Sequence, residues 1–284
     1  MTTSDKRMTR AEMDAIDSSF FATSLVSMGQ TMSTANVIMQ LANPAVGYGV
    51  AHSKVDSGRL DLHPVKRART TASYLAVAAF GNAEDRRHYR QAVNKQHVQV
   101  RSDGDSPVAY DAMNPELQLW VAACLYMGWE DIYQRVYGPL TGTERETFYQ
   151  QGKVCGTTLQ MPAEMWPPTR DAFDTYWDEQ VATISISDEV RHFLIDIANF
   201  GYAHPLIQKR FGPTKYRRTI GFLPVPFREA LRVPWTDDDQ RWFDQYISKQ
   251  VARERRKPRW LSQLLFRALL WDVRIRARLG RPLV

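Results

Sequence analysis

The chain has 284 residues, 44% of them hydrophobic and 24% charged, and its two cysteines form no CxxC, CxxCH or Cys/His zinc spacing. Those values fit a globular protein with a real core; they exclude repeat solenoids, long disordered arms, a disulfide framework and a zinc module. The net charge of +6 is uneven, because residues 251–284 carry ten basic and two acidic side chains. The rest of the chain is slightly acidic and gives no reason to expect nucleic acid.

The polar start leads into no apolar h-region, and the longest uninterrupted apolar stretch, residues 119–129, is too short to span a bilayer. A reducing, cytoplasmic setting is the expectation.

Helical signals dominate. Residues 8–26 and 30–41 read as opening helices, residues 44–54 as a glycine-punctuated segment, and residues 56–61 as a loop. His63-Pro64 starts a helix with proline where its missing N–H costs nothing, and Gly81 is expected to end it in the left-handed conformation. The next helix spans residues 83–100 and breaks at the Ser102-Asp-Gly-Asp-Ser-Pro turn. Asn114-Pro115-Glu116 combines an N-cap, a first-turn proline and an acid at the positive helix end, opening a helix to about residue 137. Thr141 to Glu144 reads as a capping box. Ser187 opens a helix closed by Gly201, and Thr236 with three aspartates opens another reaching residue 256. Period-2 alternation is nearly absent, so the fold class is all-α, a single multi-helix globular domain.

No dinucleotide, P-loop, zincin, nucleophile-elbow or kinase signature occurs. Two neighbouring helices stand out. Tyr89, Val93, His97 and Val100 are spaced to stack on one face, away from Arg86, Arg87 and Lys95. A neutral imidazole among valines needs a hydrogen bond or a metal, and a satisfied core histidine is the plainer outcome. On the preceding helix Arg67, Thr71, Tyr74 and Ala78 share a face, with Arg69 and Lys66 on others. An arginine so placed can clamp a carboxylate through its planar fork, or simply sit exposed at the helix start.

The run Arg67-Ala-Arg-Thr-Thr71-Ala-Ser-Tyr74 to Phe80-Gly81, then Val93-Asn-Lys-Gln-His97-Val98, resembles the RxxxT…FG…HxxV pattern of the MpaB and latex-clearing (rubber-cleaving) oxygenases. Asn43-Pro-Ala-Val-Gly-Tyr-Gly-Val-Ala-His52-Ser53 is similar to the family's HPAVxxGVxxHS stretch. Tyr110 to Pro115, Leu119-Trp120-Val121, Pro139-Leu140 with Glu144-Arg145, residues 156–162 and residues 223–235 follow its later segments in order. The resemblance covers residues 35–240. It leaves residues 1–34 as a helical lead-in and 241–284 as basic helices packed on the domain.

The resemblance implies a haem pocket holding haem b without covalent attachment. His97 would be the iron ligand, and Arg67 and Thr71 would help bind the cofactor, leaving a distal position for O₂. The expected function is a haem-dependent oxygenase acting on a lipophilic, unsaturated substrate. The competing readings are a non-catalytic haem- or lipid-binding protein of the same fold and a peroxidase-like haem enzyme. The chain also departs from the family pattern. Asn43 replaces its usual histidine, Ala122 the histidine after LWV, Thr70 the distal lysine of rubber-cleaving members, and Ala51 their upstream acid. His52, Lys66 and Tyr48 are the polar candidates for a different distal side. His63 and His204 read as turn residues, His192 as solvated and Cys155 as a small buried thiol.

Residues 260–279 read as a helix with Trp260, Leu264, Leu265, Ala268 and Trp271 on one side. Such a basic amphipathic helix can lie on an anionic membrane surface or dock on the domain with its arginines in water. Docking is the expectation, with Leu264 and Trp271 in the core.

Overall fold

The structure, a computed structural model, describes residues 7–52, 62–103 and 105–284. The loop expected at residues 56–61 lies outside them. The helices are α1 (Arg10–Asp14), α2 (Ser33–Leu41), α3 (Pro44–Ala51), α4 (Pro64–Phe80), α5 (Ala83–His97), α6 (Pro115–Tyr137), α7 (Gly142–Gly152) and α8 (Val154–Thr157). They continue as α9 (Arg170–Ala182), α10 (Asp188–Ala198), α11 (Pro205–Phe222), α12 (Val225–Ala230), α13 (Asp237–Arg255), α14 (Arg259–Ser262) and α15 (Leu264–Arg278). Among the described residues no strand forms, and the one extended pairing is an isolated bridge between Arg101 and Asp111. The fold is all-α.

The core is built around α6. This helix is buried on every side, from Leu119 and Trp120 through Tyr126 and Trp129 to Ile132 and Val136, as expected for a helix with no single apolar stripe. Its N-cap is Asn114, whose Oδ1 accepts from Glu116 N at 2.8 Å. Tyr126 collects Tyr149, Trp166 and Phe173 at ring separations of 5.2–5.8 Å. Buried Glu130 accepts there from Tyr126 Oη and Arg170 Nη2, each at 2.8 Å, joining α9 to α6.

Residues 7–32 depart from the expected helix over 8–26. After α1 the chain makes short 3₁₀ turns, Phe21–Ser24 and Ser27–Met32. Tertiary bonds override the local pattern: Gln151 Oε1 accepts from Phe20 N and Phe21 N, and Ser18 Oγ donates to Ala79 O. Arg86 is buried, not on an outer face. It donates to Asp14 O, Ile16 O, Ser18 Oγ and Ala78 O at 2.7–3.0 Å, tying this segment to α4 and α5.

Gly81 ends α4 in extended backbone, not the left-handed region. A Cβ there would sit 2.4 Å from Val77 O, so the glycine serves a close approach. Thr141 is the N-cap of α7, but its side chain makes no capping bond. The capping box at Thr236 is complete, and Ser187 accepts from Val190 N. Helix α10 stops at Ala198, where Phe200, at φ 59°, takes the left-handed turn and Gly201 N reaches Asp196 O at 2.8 Å.

Helix α15 packs along α4, with Arg69 donating to Asp272 at 3.2 Å and Arg274 to Asp85 at 2.7 Å. It docks through Phe266, Leu270 and Val273. The expected core residues Leu264 and Trp271 are instead exposed. Both sides of this helix are apolar, so periodicity alone could not select the docked one.

Candidate cofactor pocket

A cavity of about 560 Å³ runs between α2, α4, α5 and α6 on one side and α10 and α11 on the other. That volume is ordinary for a ligand or cofactor site. Its walls are largely hydrocarbon, including Val37, Leu41, Leu75, Val93, Val121 and Leu125.

Three residues singled out from the sequence, His97, Arg67 and Thr71, all line this cavity. Helix α5 delivers His97 as its final residue, one turn after Val93. The stack Val93, His97 and Val100 faces inward as its spacing requires, while Tyr89 is buried and donates to Thr70 O at 2.7 Å. Chain reversal after α5 returns Tyr110 to Ala112 to the cavity, held by Ser102 N to Tyr110 O at 2.8 Å and Ala112 N to Val100 O at 2.9 Å.

His97 Nδ1 is buried and has no hydrogen-bond partner. Burial, and then the nearby Arg67 cation, push the imidazole from its ordinary 6.5 down to about 4. A helix C-terminus favours a cation by about 0.3–1 kcal/mol; here desolvation wins, and the ring is neutral at ordinary pH. Arg67 Nε is likewise buried without a partner, and burial lowers the guanidinium below its ordinary value. Arg69, two residues on, points instead to α15.

Lys66 lines the cavity too, one turn before Thr70, whose hydroxyl is spent on Lys66 O at 2.9 Å. His52 and Tyr48 turn elsewhere: His52 Nε2 meets Glu189 Oε1 of α10 at 2.8 Å, with the Tyr48 ring 5.3 Å away. Asn43 is the N-cap of α3, accepting from Ala45 N and Val46 N. Ala122 is fully buried inside α6. Tyr74 Oη donates to the Cys155 carbonyl, and burial pushes the Cys155 thiol up, away from thiolate chemistry. His192 is exposed, and His204 caps α11 through Nδ1.

The far end of the cavity was not legible in the sequence. Lys215 and Arg218 of α11, with Tyr202, line it. Lys215 Nζ donates to Ile197 O and lies 3.4 Å from Tyr202 Oη; burial, then Arg218, push it down to about 8. Arg218 Nε is buried with no partner. The i, i+3 spacing of these cations was the available signal, but Pro213 within the segment hid the helix. Lys66, Arg67, Lys215 and Arg218 thus face a cavity whose lining, among the described residues, contains one side-chain carboxylate, Asp111.

A family model described as ER-bound oxygenase mpaB/B'/Rubber oxygenase, catalytic domain, matches residues 23–251. The uncharacterized proteins Rv2237 of Mycobacterium tuberculosis and Mb2261 of Mycobacterium bovis are each 45% identical over 250 residues, 88% of this chain and 98% of theirs. No solved structure matches the chain. With a family match over most of its length, and with His97, Arg67 and Thr71 inside that span, the chain belongs to the mpaB/rubber oxygenase catalytic-domain family.

Proposed function

We propose that this protein is a haem b-dependent oxygenase acting on a lipophilic, unsaturated substrate. The observation that carries the reading is the unpartnered nitrogen of His97 in an apolar cavity that also holds an unpartnered nitrogen of Arg67. A buried polar atom left unsatisfied costs about 1–3 kcal/mol. A ligand that meets both atoms removes that cost.

Haem b has the chemistry to do so, with an iron that takes imidazole and propionates that take guanidinium. The excess of cations on the cavity lining suits the same two carboxylates. Among the described residues no group of three or more His, Cys, Asp or Glu side chains could hold a bare metal ion. A lone histidine suffices where a porphyrin brings its own nitrogens. When bound, the haem supplies the O₂ chemistry. The chain would supply the rest: His97, held neutral, would ligate the iron, Arg67 with Thr71 one turn on would hold the propionates, and the aliphatic wall would accept a hydrocarbon chain and exclude water.

Oxygen consumption by the haem-loaded protein, measured with polyisoprenoid and polyunsaturated acyl substrates, tests the activity. Uptake that depends on substrate and is lost in His97→Ala is expected. Haem binding without any uptake would identify a non-catalytic haem- or lipid-binding protein. Oxidation of an added reducing dye by hydrogen peroxide, without O₂ uptake, would identify a peroxidase-like enzyme.

A further inference from the structure

Helix α15 is apolar on two opposite sides. Phe266, Leu270 and Val273 bury one of them against the body. Leu264, Ala268, Trp271, Ile275 and Leu279 recur at four, three, four and four residues, which draws a second stripe on the opposite side. Among the described residues nothing covers the larger side chains of that stripe: Trp271 is 68% exposed, Leu279 59% and Leu264 51%, with Ile275 half-buried. The short helix α14 extends it with Trp260, 64% exposed, and Leu261. Single exposed leucines are commonplace, but two exposed tryptophans together with three exposed leucines form a patch that marks an interaction surface.

The charge around the stripe selects the partner. Arg267 and Arg278 lie along one flank of α15, and Arg253, Arg256 and Arg259 cluster where α13 meets α14; Arg274 and Lys257 are paired within the fold, with Asp85 and Glu254. The two acids of residues 251–284 are already engaged. Glu254 is buried and accepts from Ser27 Oγ at 2.8 Å and Lys257 Nζ at 3.1 Å. Asp272 accepts from Arg69 at 3.2 Å and Arg276 at 2.8 Å. A second copy of this face therefore offers the arginines no free carboxylate. An anionic lipid surface offers phosphates to the arginines, an acyl boundary to the leucines and a headgroup layer to the tryptophans.

We infer that the outer side of α14 and α15 docks the folded protein onto anionic membranes, lying flat in the interface while the inner side stays packed on α4. No helix among the described residues is long and apolar enough to cross a membrane, so this contact is peripheral. The segment that follows α15 reaches the cavity, whose lining includes Val284. A membrane-docked molecule would thus present its cavity edge to hydrocarbon-bearing ligands dissolved in the bilayer.

The test is sedimentation of the full chain with phosphatidylcholine vesicles and with vesicles containing phosphatidylglycerol. Binding to the anionic vesicles alone is expected, declining as salt rises toward about 0.5 M. The double variant Trp260→Ser, Trp271→Ser should bind about tenfold more weakly or worse with an unchanged Tm. Should that variant fail to fold, brominated lipids provide the second measurement, since they should quench the exposed tryptophan emission of the unaltered protein. Wild-type protein that ignores anionic vesicles, equal binding by the double variant, or a solution dimer broken by the same substitutions would overturn the inference.

Discussion

Arg67 and Arg69, two residues apart on α4, point to opposite sides of the helix: Arg69 reaches Asp272 of α15 at 3.2 Å, while Arg67 faces the cavity with Nε unpartnered. Their substitutions should therefore separate. Arg67→Ala should weaken haem retention by about ten- to a hundredfold, the range for losing one charged hydrogen bond. Arg69→Ala should leave retention unchanged, because the pair it breaks is partly solvated. Haem dissociation rates for the two variants provide the check, and equal losses would contradict the assignment.

The pH dependence of stability follows from His97. Its folded value, about 4, lies below its ordinary 6.5. Between those values the unfolded chain binds a proton here that the folded chain does not. The stability contributed by the neutral ring is present above about 6.5 and is lost as pH falls through about 4. Thermal unfolding of the haem-free protein should show Tm falling across that window, with a shallower slope in His97→Asn. An identical slope in the variant would count against a buried neutral imidazole.

The two sides of α15 predict opposite responses. Phe266 is fully buried against Trp129, with ring centroids 5.7 Å apart. Phe266→Ala should cost about 3–5 kcal/mol, whereas Trp271→Ala, at an exposed position, should change stability by less than about 0.5 kcal/mol. Urea denaturation of both variants decides which side is docked.

Arg86 holds the N-terminal segment through four acceptors. Arg86→Ala leaves the carbonyls of Asp14, Ile16 and Ala78 without this donor and should cost about 3 kcal/mol or more. Limited proteolysis should then cut first near residues 15–26. A variant with wild-type Tm would show that the segment is held elsewhere.

How far the sequence revealed this arrangement depended on whether the deciding interaction was local. The caps at Asn114, Ser187 and Thr236 and the inward stack of Val93, His97 and Val100 are properties of one helix, and they were legible. The segment at residues 8–26 was misread because its backbone is claimed by distant groups, Gln151 and Arg86, that no local pattern announces. Lys215 and Arg218 were missed because Pro213 interrupts the helical signal. The docked side of α15 was misassigned because tryptophan and leucine on one side outweighed Phe266, Leu270 and Val273 on the other; only the position of α4 decides between them. Asn43 departs from the family histidine and yet has a clear local use, as the cap of α3.

The central claim is that His97 holds haem in this cavity, and the absorption spectrum of reconstituted protein tests it most directly. Protein mixed with haem and passed through a desalting column should elute with a Soret band at one haem per chain, and His97→Ala should lose that band or most of the bound haem. Equal haem content and an unchanged spectrum in the variant would contradict the account.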